Sequence, residues 1–132
     1  MFKSIFFSLI FGLVSFLTFG QDTLRTYHAE DTLKVKELVI LVNGKANGLV
    51  KRYDLDGRLV VIGSLKNDQR HGIFYDLDPE TGDTLRQVTF QNNQRQGEAL
   101  SFYPNGTLRE RSTFQLNQLE GEVLSYYEDG TL

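Results

Sequence analysis

Two interleaved series of glycines constrain this chain more than any other feature. Gly48, Gly72, Gly97 and Gly121 are spaced by 24, 25 and 24 residues. Gly57, Gly82, Gly106 and Gly130 form the second series. The step from each of its first three members to the next glycine of the first series is 15 residues every time. A fixed period of this length marks a repeat architecture, in which each unit packs on its neighbours and on little else.

Apolar columns keep the same period. Tyr53, Leu77, Phe102 and Tyr126 stand five residues after the first-series glycines, and Leu41, Leu65, Phe90 and Phe114 stand seven residues before one. A looser column, Lys51, Tyr75, Leu100 and Leu124, stands three residues after. Strand side chains alternate between faces, so positions three and five share a face. Asp56-Gly57, Asn105-Gly106 and Asp129-Gly130 are dipeptides that reverse a strand, because glycine tolerates positive φ. The unit expected is a β-hairpin. It runs from a first-series glycine through the aromatic column, turns at the second-series glycine, returns through the Leu/Phe column and ends in a polar connector. In the second unit Asp78-Pro79-Glu80-Thr81-Gly82 holds one extra residue, which predicts a longer turn. The fold class expected is all-β: an open antiparallel hairpin meander of about three and a half 24-residue repeats over residues 38–132, burying a ladder of Tyr, Phe and Leu.

The residues before the repeats divide in two. Six of the ten Phe lie in the first nineteen residues, behind Lys3 and within an apolar run that closes on Thr18-Phe19-Gly20. This is the pattern of a cleaved secretory signal over residues 1–20, and Ser8, Gly12 and Ser15 break the run short of the ~20 apolar residues a membrane span needs. Residues 21–37 read as a polar, loosely attached lead-in. The mature chain would carry 13 basic and 17 acidic residues, a net charge of −4, with no basic block. Nucleic acid is therefore not an expected partner, and no transmembrane segment is expected after cleavage. The chain has no Cys, which removes both a disulfide framework and a lipid-attachment site. A secreted or periplasmic location, in a Gram-negative bacterium, is the expectation.

G-E-A-L-S-F-Y-P-N-G-T-L at 97–108 and G-E-V-L-S-Y-Y-E-D-G-T-L at 121–132 resemble the MORN repeats in their bacterial variant form. N-G-K-A-N-G-L-V-K-R-Y at 43–53 and N-D-Q-R-H-G-I-F-Y at 67–75 are looser versions, so the resemblance covers roughly residues 38–132. Trp, frequent in those repeats, is replaced here by Tyr or Phe. The chain looks like the group labelled as YwqK-type antitoxins. The resemblance implies an open hairpin solenoid with protein or lipid contacts and scaffolding. It implies no shared chemistry, and fold does not settle function.

No catalytic constellation stands out. The chain holds two His, His28 and His71, and the latter reads as a solvated connector residue. No serine sits in a nucleophile elbow, and no glycine-rich phosphate loop is present. Asp54–Gly57 and Asp76–Asp83 faintly resemble calcium loops, but their acidic residues are out of phase and no bidentate Glu follows. Neither a cofactor, a metal nor an enzymatic activity is expected. Three Asp-Thr-Leu triplets place Thr23, Thr32 and Thr84 as candidate O-glycosylation acceptors. Phe74, Tyr103 and Tyr127, together with Tyr27, form a candidate aromatic strip for protein contact. The expected function is a protein-interaction scaffold, with a cell-envelope accessory or an antitoxin-like protein as alternatives. The last hairpin stops just past its turn, so residues 121–127 are also a candidate edge for self-association.

Overall fold

The computed structural model describes residues 20–132, so the expected signal over residues 1–20 lies, Gly20 apart, outside the described residues. Ten strands follow in chain order: β1 (Gln21–Tyr27), β2 (Val35–Val42), β3 (Lys45–Tyr53), β4 (Leu59–Lys66), β5 (Gln69–Arg70), β6 (Gly72–Leu77), β7 (Thr84–Gln91), β8 (Gln94–Phe102), β9 (Leu108–Gln115) and β10 (Gln118–Ser125). They build one open antiparallel sheet in sequential order, with the short β5 beside β4. No helix and no second layer occur among the described residues. The expected hairpin meander is therefore observed, as a single sheet with two broad faces.

The two edges of the sheet use different turns. On one edge the hairpins close in two residues: Asn43-Gly44, Asn67-Asp68, Asn92-Asn93 and Leu116-Asn117, each with positive φ at both positions. That geometry matches the twist of the flanking strands, and Asn enters it at little cost. On the other edge the longer His28–Lys34 loop joins β1 to β2, and the loops after β3, β8 and β10 hold three residues. The Asp54 N–H donates to the Arg58 carbonyl and the Gly57 N–H to the Asp54 carbonyl, both at 3.0 Å. Tyr103 to Thr107 and Tyr127 to Thr131 repeat the pattern. The second unit is longer by one residue, as its extra residue predicts: Asp78 pairs with Asp83, and Gly82 donates back to Asp78 at 2.8 Å.

The polar connector and the lead-in differ from expectation. Three of the four first-series glycines do not begin strands. Gly48, Gly97 and Gly121 lie inside β3, β8 and β10, and Gly72 follows the break between β5 and β6. Each sits where the ladder slips: Val39 pairs Val50 while Leu41 pairs Ala46, and Val88 pairs Ala99 while Phe90 pairs Arg95. Two extra residues are accommodated at each slip, and at Gly97 the chain passes through φ 103°, open to glycine. The supposed connector is thus the first part of a strand plus a two-residue turn. Residues 21–27, expected to lie loose, pair along their whole length with β2 as β1. Polar side chains do not prevent this, because β1 is an edge strand whose backbone still finds the β2 ladder.

Register also separates columns that the period alone placed together. Leu65 opposes Gly48 and Phe90 opposes Gly72, whereas Ile62 opposes Lys51 and Tyr75. The Leu65/Phe90/Phe114 column therefore faces the opposite way from Tyr53, Leu77, Phe102 and Tyr126. Both ladders exist, on different faces. The tightest packing belongs to neither: Val39 (5% exposed), Val50 (4%), Ala99 and Ser112 are the buried side chains. They form a row on the face of Leu65 and Phe90, called here the Val50 face. The other is the Tyr53 face.

Candidate functional site

Three rows of side chains cross the strands on the Val50 face. The middle row runs Val39, Val50, Gly63, Phe74, Val88 and Ala99, and ends on Ser112. Gly63 is required by its neighbour: a Cβ there would lie 2.6 Å from three atoms of the Phe74 ring. The ring occupies that space and meets Phe90 edge-on, centroids 5.3 Å apart at 73°. Small residues at one end of the row and bulky ones in its middle leave two shallow hollows. One, of about 230 Å³, lies among Arg70, Phe74, Val88 and Phe90. The other, of about 280 Å³, lies among Phe90, Arg95, Ala99, Ser112 and Phe114.

The second row alternates cation and ring. Arg70 opposes Leu65 and its guanidinium carbon sits 4.2 Å from the Phe90 centroid. Arg95 opposes Phe90 and sits 4.1 Å from the Phe114 centroid. Each arginine is also held by the asparagine that ends the next two-residue turn. The Arg95 N–H donates to Asn117 Oδ1 (2.7 Å), the Asn117 N–H donates to the Arg95 carbonyl (3.0 Å), and the guanidinium reaches the Asn117 carbonyl (3.0 Å). Asn93 holds Arg70 in the same way, and Asp68 holds the backbone of Ala46. These clasps tie each repeat to the next.

The third row holds ion pairs. Glu37 bonds Arg52 across β2 and β3, and Asp76 bonds Arg86 (2.7 Å) across β6 and β7. Ser101 and Glu110 continue it, and Ser101 Oγ is buried without a hydrogen-bond partner. Arg70 and Arg95 have no carboxylate within ion-pair distance among the described residues.

The aromatic strip expected from the sequence is not assembled. Phe74 is half-buried at the centre of the Val50 face. Tyr103 and Tyr127 instead begin three-residue loops at the sheet margin. The Tyr103 hydroxyl donates to the Tyr126 carbonyl at 2.8 Å, and Tyr127 is 69% exposed. Tyr27 lies far along the sheet, on β1. Thr23 and Thr32 are exposed, whereas Thr84 is half-buried at the start of β7. His71 is not a solvated connector residue: its carbonyl accepts from the Ser64 hydroxyl, its N–H donates to the Ser64 carbonyl, and its Nδ1 is buried.

The acidic loops are occupied with their own backbone. Asp54 Oδ1 accepts the N–H groups of Asp56 and Arg58, both at 2.9 Å, and Asp78 Oδ1 accepts those of Glu80 and Thr81. These bonds, that from the Arg58 N–H first for Asp54 and that from Thr81 first for Asp78, hold both carboxyls below the usual range. No group of three His, Cys, Asp or Glu able to hold a metal occurs among the described residues. No described helix is long and apolar enough to cross a membrane.

The repeat geometry is clearest in the last two units. Residues 95–116 and 119–132 match the MORN repeat variant. The matched MORN segments open at Arg95 and at Leu119, each the second residue of a slipped strand, and the first of them holds Asn105-Gly106. MORN repeats are generally modules of protein or membrane interaction, which is compatible with a non-enzymatic scaffold. No curated protein matches the chain.

Sequence reasoning missed the middle row and the arginine–phenylalanine row. Arg70 and Arg95 stand two residues before first-series glycines, and a column counted backwards from those glycines would have found them.

Proposed function

We propose that the protein is a secreted or periplasmic, non-enzymatic scaffold that binds another protein on the Val50 face. The observation that carries this reading is that face itself: an apolar middle row with hollows, stacked rings and arginines, and no second layer over it among the described residues. The signal-like pattern of residues 1–20 supports the location. Repeated residues on separate strands present the same chemistry many times, which suits an extended contact more than a single reacting centre. An anionic membrane is a poor alternative for a mature chain of net charge −4.

The test combines fractionation with a site-directed photo-crosslinker at Val88, on the Val50 face, and at Tyr75, on the other. Processed protein in the periplasm or medium, with one protein adduct formed from Val88 and not from Tyr75, is the expected result. Full-length protein retained in the cytosol overturns the location. Adducts of equal yield from both faces overturn the choice of face.

A further inference from the structure

We infer that the arginine–phenylalanine row is a subsite for an acidic polyproline-II segment lying across the strands, with carboxylates three residues apart. The inference rests on the interaction reading above and names the chemistry of its partner.

The row supplies charge. The chain is acidic, with a net charge of −3, yet this row holds Arg70 and Arg95 and no carboxylate pairs with either among the described residues. Neighbouring arginines of the same face, Arg52 and Arg86, are already neutralised by Glu37 and Asp76. Arg70 and Arg95 each spend one guanidinium nitrogen on an asparagine carbonyl, which leaves further N–H donors of the planar fork for an incoming carboxylate. Stacking on Phe90 and Phe114 fixes both forks before a ligand arrives, so less side-chain freedom is lost on binding.

Spacing selects the ligand's conformation. Arg70 and Arg95 are two strand steps apart, because Phe90 on β7 stands between them. Two steps across a sheet are about 9.6 Å. A polyproline-II helix rises about 9.3 Å in its three-residue turn, so residues i and i+3 present one face at that distance. Two residues of an extended strand cover only about 6.8 Å. Residues between the carboxylates would lie beside the Phe90 ring and over the hollow floored by Ala99 and Ser112, whose lining mixes apolar side chains with Ser101 and Glu110.

The experiment is fluorescence anisotropy with full-length mature protein and three labelled peptides: Glu-Pro-Pro repeated three times, its Lys-Pro-Pro counterpart, and an isomer of the first with the three Glu adjacent. Saturable binding of the first is expected, weakened about tenfold by Arg70→Gln or Arg95→Gln and by high salt. The adjacent-Glu isomer binds more weakly, and the Lys peptide does not bind. The Arg70→Glu/Arg95→Glu variant should exchange the preference for the Lys peptide, a gain that misfolding cannot produce. Equal affinity for both Glu peptides overturns the spacing, and affinity unchanged by the arginine variants overturns the subsite. Absent binding of the first peptide, alongside a retained Val88 adduct, overturns the acidic ligand and leaves the scaffold reading standing.

Discussion

The Phe74 ring lies where the Gly63 side chain would be. A Cβ at Gly63 would approach the ring's Cγ, Cδ1 and Cε1 to 2.6 Å, and Cγ is anchored close to the backbone and cannot swing aside. Gly63→Ala is expected to destabilise the sheet by about 1–3 kcal/mol through overpacking. Urea unfolding measures this, and a double-mutant cycle assigns it. In a Phe74→Ala background the same substitution should cost much less. An equal cost in both backgrounds would place the strain elsewhere.

Leu116 is the odd residue in its turn series. The equivalent positions are Asn43, Asn67 and Asn92, and all four adopt φ of 48° to 52°. Leucine gains nothing from this conformation and its side chain is 63% exposed. Leu116→Asn should stabilise the protein by about 0.5–1 kcal/mol by relieving left-handed backbone strain. A rise in the thermal midpoint is the check.

Asn117 makes both halves of the clasp on Arg95, and its own φ of 67° also favours it. Asn117→Gly keeps the backbone conformation and deletes only the side-chain acceptor. The expected loss is about 1 kcal/mol, that of one hydrogen bond with its donor left to water. Amide exchange should quicken at Arg95 and stay unchanged at Arg70, which Asn93 holds.

Asp54, Asp78 and Asp129 have depressed carboxyl pKa values, caused by turn N–H donors and, first for Asp129, the Thr131 hydroxyl. A carboxyl of this kind stabilises the fold above its unfolded value of about 3.9, and that contribution is lost as the pH falls through the lower folded value. Stability should decline below about pH 4 by this route. An Asp54→Asn variant should show a shallower decline, followed by urea midpoints across the acid range.

How much of this was legible in sequence depends on what fixes each feature. The period, the hairpins and the longer turn at Asp78–Asp83 follow from local chemistry and were readable. The placement of the columns was not. A two-residue slip at each first-series glycine preserves alternation while moving the strand start three residues upstream, as Lys45 before Gly48 shows. Only pairing reveals that Leu65 opposes Gly48 and not Lys51. β1 was hidden for another reason: Gln21–Tyr27 is exposed throughout, so it leaves no apolar pattern to detect. Arg70 and Arg95 were passed over because a charged residue near a turn ordinarily means solvent. Their stacking on Phe90 and Phe114 exists only across repeats.

The clasps also set how the protein answers force. Strands follow one another in order from β1 to β10, so a pull on the two ends acts across the ladders and opens them bond by bond. Each clasp bridges 22 or 23 residues, from Ala46 to Asp68, Arg70 to Asn93 and Arg95 to Asn117. Extension would then proceed as an unzipping in which one hairpin at a time gives way. A released repeat of 24 residues lengthens the chain by about 80 Å. Such a molecule is compliant along its axis while staying firm within each unit.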